Sequence, residues 1–142
     1  MSQHWSRDAA QALVERFEQC RMSKAEWTHE AHLVAGFWYV HTLGRAAALE
    51  RMRLGIRRHN EAVGTPNTDS GGYHETITRL YLWHMERHIQ CEAALGFEAS
   101  LAGLLASPMA GSTWPLTFYT KERLFSVEAR RGWVEPDLQQ GG

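Results

Sequence analysis

The sequence predicts an all-α fold: a single domain over residues 1–142, built as a compact, irregular bundle of five to six helices with an extended C-terminal tail. Three observations carry that reading. Apolar residues recur every three to four positions through most of the chain, the period of a helix that buries one face. No stretch alternates apolar and polar residues convincingly enough for a half-buried strand. The periodic stretches are also bounded by helix punctuation: Ser or Thr at starts, Gly or Pro at stops.

Taken in order, Ser6-Arg7-Asp8 caps a first helix from about Ala9 to Cys20, with Leu13, Val14 and Phe17 inward. The polar segment Arg21 to Glu26 breaks the pattern. Thr28 caps a second helix from His29 to about Thr42, stopped near Gly44. On it His29, His32, Leu33, Gly36, Tyr39 and Val40 share one sector, while Glu30 and His41 point elsewhere. A third helix, Arg45 to about Ala62, turns Ala46, Leu49, Met52 and Ile56 inward and Arg51, Arg57 and Arg58 outward. Val63 to Gly72 is the clearest loop, dense in Pro, Asn, Asp and Gly.

It leads into a fourth helix, Tyr73 to about Gln90. There His74, Thr78, Tyr81, Met85 and His88 form an inward stripe, with Ile77 and His84 beside it, and Glu75 and Arg79 pair at i, i+4 on its flank. A fifth helix runs from Glu92 to about Ala106 and ends at Ser107-Pro108. Periodicity then fails through the loop Ala110 to Pro115 and returns in a short helix from Lys121 to Arg131. The tail Trp133 to Leu138 is expected to be extended, with Gln139 to Gly142 frayed.

Composition bounds the function. A hydrophobic fraction of 44% and a charged fraction of 22% over 142 residues belong to a soluble globular domain. A net charge of -1 offers no positive surplus for nucleic acid or an acidic membrane, so Arg51, Arg57 and Arg58 read as a solvated helix surface. No apolar run reaches the length of roughly 18 residues that spans a bilayer. Met1 to Asp8 lacks the layout of an export signal, which points to the cytoplasm. Cys20 and Cys91 are then free thiols rather than a disulfide framework. Six tryptophans can build a core, wall a ligand pocket or face a homodimer partner.

The chemistry concentrates in two similar helix starts, Trp27-Thr28-His29-Glu30-Ala31-His32-Leu33 and Gly72-Tyr73-His74-Glu75-Thr76-Ile77-Thr78. His29 and His32, at i and i+3, lie on one helix face. A helix N-terminus disfavours imidazolium, and neutral imidazole is the form that binds metal. His29, His32 and His74 are therefore the expected ligands of an open site for a divalent transition metal, Zn or Fe, with Glu75 or Glu30 as general base. His29-Glu30-Ala31-His32 is not the zincin signature, whose histidines stand four apart. Tyr73, Arg79, Asn67 and Asp69 are the expected ligand-binding residues, in a pocket for a small polar molecule between the two helix starts.

Two other readings fit the same residues. The histidines can hold an anionic or polar small molecule without catalysis, as in a sensor, with Arg79 and helix-start amides facing a carboxylate or phosphate. Alternatively they are a polar cluster that fastens two helix ends in a structural or dimerising protein. Helix-dipole complementarity alone places Glu30 and Glu75 in first turns. His4, His41 and His59 are expected to be solvated.

Three blocks, Trp27-Thr28-His29-x-x-His32-Leu33, the run from Pro66-Asn67-Thr68 through Gly72-Tyr73-His74-Glu75-Thr76-Ile77-Thr78, and Trp133-Val134-Glu135-Pro136-Asp137-Leu138, together resemble a group of small uncharacterised bacterial all-helical proteins. The resemblance spans most of the chain. It implies a bacterial, cytosolic protein and brings no activity with it.

Overall fold

Ser6 Oγ accepts the amide hydrogen of Ala9 and starts helix α1, Arg7–Glu18, two residues ahead of the expected start. In the computed structural model, which describes residues 5–138, it is followed by α2 (His29–Leu43), α3 (Arg45–Ala62), α4 (Glu75–Cys91) and α5 (Phe97–Leu105). Two single 3-10 turns, Pro108–Ala110 and Trp114–Thr117, lead to the short helices α6 (Lys121–Leu124) and α7 (Val127–Arg131). No strand occurs among the described residues. The fold is all-α, and no helix among them is long and apolar enough to cross a membrane.

Helix α2 is the axis of the fold. Between Ala31 and Val40 nearly every residue is buried, as expected of a helix that is apolar all round, and α1, α3, α4 and α5 pack about it. Phe17, Phe37, Tyr39, Leu101 and Leu104 fill the space between them. A smaller core of Leu80, Tyr119 and Leu124 lies under the C-terminal segment, against Trp133 and Val134. The extended tail is strapped down there: Val134 N donates to Thr76 Oγ1 at 3.2 Å, Tyr119 Oη donates to Val134 O at 2.7 Å, and Leu138 N donates to Phe118 O at 2.9 Å.

The departures from expectation have local causes. Tyr73 has no side chain able to cap, so α4 begins two residues later than expected, with His74 itself as the cap. The fifth helix starts at Phe97, not Glu92, because the chain turns after Cys91 and is extended at Gly96. One expected helix over Lys121–Arg131 is two, since Ser126 is extended and caps α7. Ala46 is exposed and Ala48 takes the buried position. His59, expected to be solvated, is only 1% exposed, against the ring of Trp27. The expectations for His4 and for Gln139 to Gly142 fall outside the described residues.

Candidate functional site

The first turn of α2, the middle of α3 and the first half of α4 enclose a cleft of about 340 Å3. Most of its wall is apolar, with Leu33, Met52, Ile56, Ile77 and Met85 among the contributors, and its polar groups come from His29, His32, Thr78 and Tyr81. Gly36 keeps the α2 side low, since a methyl group there would stand 3.3 Å from Met85 Sδ.

Which nitrogen of each histidine donates follows from its partner. His29 Nε2 faces Met109 O at 3.0 Å, and His32 Nδ1 faces Thr28 O at 2.7 Å. A carbonyl oxygen only accepts, so these nitrogens carry the protons. The other ring nitrogens, Nδ1 of His29 and Nε2 of His32, have no hydrogen-bond partner among the described residues. Burial holds His32 down at about 4, against the pull of its bond to Thr28, so this ring is neutral at physiological pH. Trp27 packs on it at 4.0 Å between ring centroids.

Tyr81 lies edge-on to His29 at 5.6 Å and is 9% exposed. Its hydroxyl is buried without any hydrogen-bond partner. Burial pushes it well above the ordinary tyrosine value, so it remains a neutral donor. A buried hydroxyl in that state is costly by about 1–3 kcal/mol. Tyr81 lines the cleft, and the donor and acceptor of its hydroxyl are both unused.

His74, the third expected ligand, is elsewhere. Its Nδ1 accepts from Ile77 N at 3.1 Å, capping α4, and its Nε2 donates to Leu124 O at 2.6 Å, joining α4 to α6, so both ring nitrogens are engaged. The two helix starts are out of register: His29 is the first residue of α2 under a threonine cap, whereas His74 is the cap of α4. Among the described residues no three His, Cys, Asp or Glu side chains gather as a metal site would require. The expected convergence of His29, His32 and His74 is thus corrected to a pair.

The other candidates also disperse. Glu75 meets Arg53 of α3 through both oxygens, at 3.0 and 2.6 Å, and accepts from Tyr73 Oη at 2.7 Å. With these bonds made it is a structural carboxylate rather than a free base, and its expected partner Arg79 leans instead on the Trp133 ring at 5.7 Å. Glu30 accepts from Trp5 Nε1 at 3.0 Å. Asn67 Oδ1 accepts from Asn60 Nδ2 and Tyr73 N, closing the loop. Gly72 completes that turn at φ 81°, where a methyl group would stand 2.5 Å from Pro66 O. Asp69 pairs with Arg131 at 2.8 and 2.7 Å on the surface.

No family model, curated protein or solved structure matches this chain.

Function therefore rests on the cleft itself. Helical spacing puts Tyr81 on the inward stripe of α4 without singling it out from its neighbours. The available signal was its spacing, three residues after Thr78 on the face turned toward the α2 histidines. Arg53 was missed altogether, because nothing local distinguishes it from the other arginines of α3.

Proposed function

We propose that the protein binds a small, mostly apolar molecule bearing a hydroxyl group in the cleft between α2, α3 and α4. The observation that carries this reading is the unpartnered hydroxyl of Tyr81, a residue that lines the same cleft as His29 and His32, whose second ring nitrogens are also unpartnered. A ligand hydroxyl both donates and accepts: it gives its proton to His32 Nε2 and takes one from Tyr81. An anion suits the cleft less well, because the open Nε2 of the neutral His32 ring is an acceptor. The volume and the apolar walls match those of small-molecule sites at the lower end of their range. The reading is of a binding or sensor protein, with Glu75 and Glu30 outside the chemistry.

The test is calorimetric titration with naphthol and with its methyl ether, in the presence of a chelator. Saturable binding of naphthol, with the ether weaker by about tenfold for one lost hydrogen bond to a buried partner, supports the proposal. Equal affinity for the two, or binding that vanishes with chelator, overturns it, and the second result restores a metal held by His29 and His32.

A further inference from the structure

A second cleft is larger than the histidine one. It lies between the start of α3, the middle of α4 and the strapped tail, and measures about 610 Å3. Leu49 and Leu80 contribute its apolar surface, Trp83 and Trp133 its indole walls, and Arg45 and Arg79 its charge. It meets the histidine cleft only at Leu82, which lines both.

Arg79 is the donor here that the fold leaves unused. The Arg79 guanidinium packs on Trp133 and makes no hydrogen bond or ion pair among the described residues. Arg45 approaches Glu86 only at 3.6 Å, with its side chain 43% exposed. Glu135, the acidic residue of the lining, already accepts from Trp133 Nε1 at 3.0 Å. A cation is disfavoured by the two guanidiniums, and Trp133 and Trp83 already carry Arg79 and Arg87 over their rings, at 5.7 and 5.0 Å. What remains complementary is an anion with a flat apolar body. The tail wall stands ready for it, since Arg123 Nε holds Glu135 O at 2.5 Å and Thr120 holds Asp137 at 2.8 and 2.7 Å.

We propose that this second cleft binds a small aromatic carboxylate, its charge met by Arg79 and Arg45 and its ring lying along Leu49 and Trp83. Arginine suits the task because its planar fork matches both oxygens of a carboxylate. The site is independent of the hydroxyl-binding cleft and stands or falls without it.

The probe is naphthoate, titrated while the indole N–H signals of Trp83 and Trp133 are followed by NMR, with uncharged naphthamide as the comparison. The expected result is saturable binding that moves those two signals and weakens with salt, with the amide and the Arg79→Ala protein each weaker by about tenfold. Arg79→Lys should fall between, and Tyr81→Phe should leave naphthoate affinity unchanged. Four results overturn the proposal: no saturable binding, equal affinity for the amide, indifference to Arg79→Ala, or dependence on Tyr81, which would move the ligand to the other cleft. Arg79 is exposed, so its variants test binding rather than folding.

Discussion

Arg53 grips Glu75 through two hydrogen bonds, at 3.0 and 2.6 Å, and so ties the middle of α3 to the first turn of α4. The carboxylate is buried, with 9% of its side chain exposed, while the guanidinium is 32% exposed. Burial alone would raise the Glu75 carboxyl, yet the bonds from Arg53 and Tyr73 outweigh it and hold the group below its ordinary value. Glu75→Gln keeps the shape but removes the charge. Allowing for the partly wet arginine, it should destabilise the fold by about 2 kcal/mol, less than the roughly 3–5 kcal/mol of breaking a fully buried pair. Urea denaturation at neutral pH measures this, and a change under about 0.5 kcal/mol would show the pair to be idle.

His74 makes a sharper contrast with the metal-ligand expectation. As the cap of α4 it accepts the Ile77 amide hydrogen, and from the opposite edge of the ring it donates to Leu124 O. His74→Ala leaves both groups without their partner and should destabilise by about 2–3 kcal/mol. His74→Asn can still cap and should recover roughly 1 kcal/mol of that. If the two variants were equally damaged, capping would not be the role.

The two histidine-glutamate pairs show how much of this molecule can be read from its residues. The α2 start was legible because Thr28 caps in the ordinary way, and the inward stripe of Ile77, Thr78, Tyr81 and Met85 follows from spacing alone. The identity of the cap of α4 was not, since the imidazole that caps is fixed at its other edge by the carbonyl of Leu124, 50 positions away. The same limit hid the pairing of Arg53 with Glu75, which competes in sequence with the local pair Glu75 and Arg79. A local pair is worth a few tenths of a kcal/mol, and a buried tertiary one displaces it.

Acid should unfold the protein in a defined window. Burial lowers His32 to about 4 from an ordinary 6.5, and it lowers His59, His74 and His84 in the same direction. The unfolded chain takes up these protons first, so stability is full above 6.5 and falls as pH drops toward 4. His32 contributes on the order of 3 kcal/mol to that slope. Below it Glu75, held under its ordinary value of 4.5, extends the loss. Thermal melts across this range should therefore show a steep decline, and His32→Gln should flatten it. A pH-independent melting temperature down to about pH 5 would contradict the burial of these rings.

Gly55 sits inside α3 with ordinary helical backbone, where alanine is intrinsically better by about 1 kcal/mol. A methyl group there would stand 2.4 Å from two carbons of the Phe17 ring, itself stacked on Trp27 at 4.4 Å and fully buried. Overpacking of that kind costs about 1–3 kcal/mol, so Gly55→Ala should destabilise in spite of its helix propensity. A melting temperature above that of the parent would mean that Phe17 can move aside.

Tyr81→Phe separates stability from function most cleanly. In the ligand-free fold the Tyr81 hydroxyl is buried with neither its donor nor its acceptor used, a state that opposes folding. Removing the oxygen relieves that opposition without opening a large void, so the variant should be as stable as the parent or more stable by about 1 kcal/mol. The same oxygen is the proposed donor to the ligand hydroxyl, so naphthol affinity should fall by about tenfold. A structural tyrosine would give the reverse pattern, with stability lost and binding kept. A group that weakens the fold and strengthens a complex is the mark of a binding residue, and paired urea and calorimetric titrations of this one variant decide whether Tyr81 is such a group.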